Sequence, residues 1–155
     1  METFVHATDP ATALVEFFRA LKPGGSLALY EYDHIRLSTA PKELAASMEK
    51  VNRYAAMPAN AIFDQGVLPS LLEDAGFEDV RVTDLSIHIR PMLRLFFALA
   101  FFPYIVIRLF HLEAWFINTV AGFESYRGHS IWRYIAVTAQ KPVGRASIHA
   151  PKKVQ

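Results

Sequence analysis

Five consecutive residues, Tyr30, Glu31, Tyr32, Asp33 and His34, close a short apolar run and gather two carboxyls, two phenols and an imidazole. The run, Ser26 to Tyr32, has the length and composition of a strand covered on both faces. Side chains alternate along a strand, so Glu31 and Asp33 share one face and Tyr30 and Tyr32 the other. The C-terminal ends of strands are where open α/β sheets bind ligands. A carboxyl buried among aromatic rings keeps its proton to higher pH, which suits general acid–base work. Glu31 and Asp33 are therefore the expected catalytic pair, with Tyr30 and His34 as substrate contacts. The competing reading is a solvated loop in which Asp33 caps the segment after it.

The surrounding elements decide whether such a strand end exists. Asp9-Pro10 supplies an N-cap and a first-turn proline. Leu14, Phe17, Phe18 and Leu21 then recur at helical spacing from Ala11 to Leu21. Lys22-Pro23-Gly24-Gly25 stops that helix and turns the chain into the strand. Thr3 to Ala7 reads as the tail of an earlier strand. Ala40 to Ala56 is expected as a second helix with Leu44, Met48 and Val51 on one face, and Ala61 to Ala75 holds a third. Alternation from Val80 to Ile89 predicts a strand. Pro91 opens an apolar helical stretch to Phe110, continued by Leu112 to Val120, and Trp132 to Ala139 is a last strand. Alternating helices and strands imply an α/β layer fold, with residues 1–141 as one domain and a mobile tail over 142–155.

The 155 residues suffice for one domain with a core. A net charge of +1 gives no field that would attract nucleic acid. The absence of cysteine excludes disulfides, thiolate nucleophiles and zinc–thiolate sites. His111 and Glu113 lie on different faces of a helix, so no metal is expected. The opening "METFVHATDP" carries acids and no long apolar run, unlike a secretory leader. A cytoplasmic location, with membrane association in reserve, is the expectation. That reserve comes from "PMLRLFFALAFFPYIVIRLF", whose uncharged core from Leu95 to Ile107 is bounded by Arg94 and Arg108. It falls short of the roughly 20 residues that cross a bilayer. It reads as a cover over a greasy pocket, with Phe97, Phe101 and Tyr104 toward the substrate, as an interfacial helix with snorkelling arginines, or as a dimer contact.

Three pieces in order, "ETFVHATDPATALVEFFRALKPGGSLALYEYDH", "LPSLLEDAGFEDVRVTDLS" and "WRYIAVTAQKP", resemble the C-terminal half of a class I S-adenosylmethionine-dependent methyltransferase, in the branch that includes sterol C-methyltransferases. The resemblance implies a truncated Rossmann-like sheet with an apolar helical insertion before the last strand. It places Glu2, Thr3 and His6 beside the methyl-transfer site, where His6 would touch substrate or accept a proton. It also implies substrate contacts around Glu124, Tyr126 and His129. In that family the donor rests on a glycine-rich loop followed by an acid for the ribose. Here the first glycine pair is Gly24-Gly25, and both cofactor elements would lie upstream of Met1. The chain alone is thus expected to bind no S-adenosylmethionine unless a partner supplies the loop.

Together these readings predict a methyltransferase-like protein with an apolar pocket for a sterol, terpenoid or other lipid-like molecule. The alternatives are a donor-independent acid–base cyclase or isomerase, and a non-catalytic binding partner. Half a sheet leaves an edge and a face uncovered, so a homo-oligomer is expected.

Overall fold

The computed structural model describes residues 3–144; Glu2 and residues 145–155 of the tail lie outside them. Its centre is a three-stranded sheet of β1 (Ser26–His34), β2 (Glu78–Asp84) and β3 (Trp132–Gln140), in the order β1-β3-β2. Both neighbours run antiparallel to β3. The helices are α1 (Pro10–Ala20), α2 (Lys42–Tyr54), α3 (Val67–Asp74), α4 (Ser86–Leu109) and α5 (Ile117–Arg127). The mixed α/β architecture, with an apolar helix before the last strand, agrees with the sequence.

The core lies between α1, α3 and one face of the sheet, where Leu14, Leu68, Leu72, Ile135 and Val137 are buried. Asp9 caps α1 as expected, accepting the Thr12 amide at 3.0 Å. The Pro-Gly-Gly turn closes against the end of β3. Gly24 N–H donates to the Lys141 carbonyl and Lys141 N–H to that of Gly25. Gly24 has φ +76°, which glycine adopts without strain.

Several boundaries differ from the sequence reading, each for a local reason. The expected strand tail at Thr3–Ala7 is a 3-10 turn over Phe4–His6, closed by the Ala7 amide on the Phe4 carbonyl. The strand read through Ile89 ends at Asp84, whose carboxylate accepts the Ser86 amide at 2.8 Å and turns the chain into α4. Ser86, through its hydroxyl first, also holds the Asp84 pKa below the ordinary value. Alternation continues past Asp84 in the sequence, but main-chain pairing with β3 ends at the Leu85 amide, which donates to the Tyr134 carbonyl at 2.7 Å. Pro91 therefore sits inside α4 rather than at its start. The third helix divides into a 3-10 turn at Ala59–Ile62 and α3, separated by Gly66 at φ +94°. The continuation from Leu112 is interrupted: His111 has φ +56°, and the next helix begins only at Ile117. Within this break Glu113 is buried. Lys50 reaches it at 2.7 Å and holds its pKa below the usual carboxylate value.

Candidate functional site

A cavity of about 490 Å³ opens at the C-terminal end of β1. Three elements build it. The inward face of α2 contributes Leu44, Met48, Val51 and Asn52, and α5 contributes Ile117, Ala121 and Glu124. The sheet end and the flanking turns contribute Tyr32, Trp132, His34, Asn60 and His6. The walls are thus mostly apolar, with a small set of polar groups among them, which is the usual make-up of a small-molecule site.

His34 is almost fully buried. Its Nε2 lies 2.7 Å from the Asn60 carbonyl oxygen and its Nδ1 2.9 Å from that of Ile35. Asp64 stands 3.3 Å from the same Nδ1. Main chain joins the two segments as well: the His34 amide donates to Phe63 and the Gln65 amide to His34. His34 therefore fixes the wall where β1 meets the turn before α3. His6 is exposed on the rim, its Nδ1 2.7 Å from the Ala56 carbonyl oxygen. Only a protonated Nδ1 can donate to that carbonyl, which leaves Nε2 as the acceptor in the neutral ring.

Two asparagines complete the polar set. Asn60 Nδ2 donates to Asn52 Oδ1 at 2.7 Å. Asn52 Nδ2 and Asn60 Oδ1 are left buried without a hydrogen-bond partner. Exchanging N and O in both amides still leaves one donor and one acceptor over, so the pair carries a spare of each whichever way it is assigned. A buried polar group in that state costs about 1–3 kcal/mol, and a site that holds one gains by presenting it to a bound molecule.

The expected acid pair stands elsewhere. Glu31 and Asp33 share a buried face of β1, as alternation requires. Glu31 Oε1 accepts the Phe4 amide at 2.8 Å, anchoring the turn that carries His6. Asp33 is gripped by Arg133 from the facing position of β3, with Nε–Oδ1 2.9 Å and NH2–Oδ2 2.6 Å. That hydrogen bond, ahead of the opposing cost of burial, raises the Arg133 pKa further. Neither carboxylate is in the cavity lining. Tyr30 shares the face of Tyr32 and His34 but stands further from the strand end, exposed and outside the lining.

The α4 aromatics also lie outside the lining. Phe97 stacks on Phe123 at 4.6 Å and meets Tyr126 at a tilt at 4.9 Å, Tyr104 stacks on Phe123 at 3.9 Å, and Phe101 meets Phe123 at 6.1 Å. They support α5 from behind. His129 packs on Tyr126 on the exposed side. Glu124 is the link between the two sides. It lines the cavity, accepts hydrogen bonds from Tyr104 and Arg127, and is buried. Burial first, then the Glu124 hydrogen bond and charge, pushes the Tyr104 phenol up to about 12. The folded state thus favours the neutral phenol. This contribution to stability is whole below the ordinary phenol range near 10 and is lost as pH rises toward about 12. In an ultraviolet titration Tyr104→Phe should remove a phenol component that ionises at about 12.

Among the described residues no group of three or more His, Cys, Asp or Glu could hold a metal. The three glycines with positive φ, Gly24, Gly66 and Gly76, lie outside the cavity lining. Gly128, in the turn that ends α5, does line the cavity, with a φ of −85° that any residue can adopt.

In fold and in sequence the chain is a methyltransferase-like α/β unit that corresponds to part of a class I S-adenosylmethionine-dependent methyltransferase. It is 37% identical over 145 residues to the S-adenosyl-L-methionine-dependent Diels-Alderase iccD of Talaromyces variabilis, a match that covers 92% of this chain and 50% of that protein. A second such Diels-Alderase, iliD of a Neonectria species, is 44% identical over 78 residues, covering 48% of this chain and 32% of that protein. The ubiquinone/menaquinone biosynthesis C-methyltransferase UbiE of Yersinia enterocolitica is 35% identical over 95 residues, covering 52% of this chain and 38% of its own. The chain spans half the length of iccD, and less of the other two. Among solved structures, phosphoethanolamine N-methyltransferase 2 of Haemonchus contortus with S-adenosylhomocysteine superposes at TM-score 0.61 and 17% identity, over 91% of this chain and 32% of that one. No family model matches the sequence.

Proposed function

We propose that the chain forms the substrate-holding part of a pericyclic cyclase. Its substrate would be a linear, largely apolar molecule carrying a conjugated diene and a carbonyl-activated alkene. The identity with the Diels-Alderase of Talaromyces variabilis carries this reading. The reaction class asks little acid–base chemistry of the protein. A [4+2] closure converts three π bonds into one π bond and two σ bonds, with no net transfer of protons or electrons. The protein must fold the chain so that the reacting termini meet at about 3–3.5 Å, and it must hold that conformer.

The cavity supports both needs. Leu44, Met48, Val51 and Ile117 offer apolar walls that favour a coiled hydrocarbon over an extended, hydrated one. Asn52 has an amide N–H without a partner, covered at the cavity wall, and a rotation of the side chain would present it to a bound molecule. Donated to the carbonyl, it would draw electron density from the attached alkene and lower the barrier. Asn60 would accept from an adjacent N–H or O–H. Glu31 and Asp33 act through structure, by holding the His6 turn and the β1–β3 pair. The closure itself transfers no group from S-adenosylmethionine, although iccD carries that dependence in its name.

The test is a linear trienone, a diene and an enone joined by a saturated tether, incubated with the chain and analysed by chiral chromatography. At least a tenfold acceleration over buffer, with one stereoisomer in excess, is expected. Asn52→Leu should lose on the order of 10- to 100-fold in rate, the worth of one buried hydrogen bond to the reacting carbonyl. A racemic product at the uncatalysed rate, with and without added S-adenosylmethionine, would sink the proposal. Label passing from methyl-labelled donor to the trienone would assign methyl transfer instead.

A further inference from the structure

The apolar surface of this protein is concentrated in one place. Among the described residues, 13 of the 19 exposed large hydrophobic ones lie between Ile87 and Phe116. On α4 they form a stripe at helical spacing, Met92, Leu95, Leu99, Phe102, Val106 and Leu109. The opposite side, with Leu93, Ala100 and Ile107, is buried against the body of the protein. Monomeric soluble proteins rarely leave so continuous an apolar face uncovered.

Charge decides what covers it. From Leu85 to Leu112 the sequence contains Arg90, Arg94 and Arg108 and no aspartate or glutamate. At the far end, past the break in the helix, Trp115 is 83% exposed. An apolar stripe with arginines beside it and an aromatic ring at its end matches a helix lying in a lipid interface, where arginines reach phosphates and the indole sits at headgroup depth. A second copy is the poorer match. Two α4 helices packed antiparallel would bring Arg94 of each toward Arg108 of the other, and the acid beside Arg108, Glu113 at 3.7 Å, is already shared with Lys50 at 2.7 Å.

The helix is also long and apolar enough to cross a membrane by length and composition. Its buried side argues against crossing. There Tyr104 meets Glu124, which Arg127 also holds, and a spanning α4 would draw these charges into hydrocarbon.

We propose that α4 docks the protein on an anionic lipid bilayer, lying in the plane of the surface with the Leu99–Phe102 stripe inserted. The proposal is independent of the reaction the cavity carries out. It is tested by flotation with vesicles of phosphatidylcholine alone and with added phosphatidylserine, alongside Trp fluorescence. The chain should float with the anionic vesicles, less so at high salt, and its emission should shift to the blue. Trp115→Phe should remove the shift. Leu99→Glu and Phe102→Glu, both on the solvent side, should abolish flotation while circular dichroism stays unchanged. Arg94→Gln should weaken partitioning about fivefold, the contribution of one basic residue near an anionic surface. Arg94→Gln also serves as the measurement should either glutamate variant fail to fold. Equal flotation with both vesicle types would overturn the proposal. So would no flotation together with a concentration-dependent dimer that Leu99→Glu dissolves, which would assign the face to a second copy.

Discussion

Arg133→Met is expected to destabilise the fold by on the order of 3 kcal/mol, and Asp33→Leu added to it should restore most of that loss. Asp33 is 3% exposed. Both its oxygens are met by the Arg133 fork, across a register in which the two residues stand directly opposite. Removing the guanidinium leaves a buried carboxylate with its charge uncompensated. Removing both charges and filling the space with apolar side chains leaves nothing to compensate. The pair itself contributes little net stability, because its attraction is set against the desolvation of two ions. A double-mutant cycle by urea unfolding measures this directly. A near-neutral Arg133→Met would refute it. The same variants separate structure from chemistry. If Asp33 acts only through β1–β3 pairing, the folded double variant keeps the turnover of the parent.

Phe63→Ala should cost about 3–5 kcal/mol, the range for emptying a fully buried aromatic site. Phe63 has no exposed surface and stacks on Phe4 at 5.8 Å. Phe4 in turn belongs to the 3-10 turn that Glu31 anchors and that presents His6. The Phe63 carbonyl also receives the His34 amide at 3.0 Å. The void would therefore open beneath the cavity as well as in the core. Ligand affinity should fall along with the melting temperature, whereas Leu14→Ala, on the α1 side, should lower stability alone. Phe63→Ala with an unfolding free energy within about 1 kcal/mol of the parent would contradict this account; such a shift is below any value in the range above.

The sequence is most legible where structure depends on neighbours in the chain. The Asp9 cap, the Pro-Gly-Gly stop, β1 and β3 all derive from residues within a few positions. So does the placement of Glu31 and Asp33 on one face of β1. What the carboxylates do is not legible, because Asp33 depends on Arg133, one hundred residues away, and Glu31 on the Phe4 amide in a separate turn. Strand pairing alone puts that guanidinium opposite Asp33. His6, His34 and Glu124 stand out from sequence, and the structure brings all three to one cavity. Asn52 and Asn60 do not stand out. Asn52 falls eight residues after Leu44 and four after Met48, so spacing puts it on the apolar face of α2, but its polar side chain breaks that face and nothing local marks Asn60 as its partner. Only tertiary packing shows the pair buried. The start of α4 is hidden because alternation and helical periodicity both continue across Asp84–Ile89, and the Asp84–Ser86 hydrogen bond chooses between them.

The position of β3 has a consequence for synthesis. Among the described strands the last is the middle one, so β1 and β2 have no described partner until it arrives. Asp33 and Arg133 leave the ribosome one hundred residues apart, about 5–20 s at ordinary elongation rates. Throughout that interval β1 carries an open edge and α4, made before β3, exposes its stripe. Folding so dominated by distant pairing is slow. The nascent chain therefore has a window for capture, by a chaperone or by the same lipid surface that α4 fits, and its soluble yield should depend on translation speed more than on final stability.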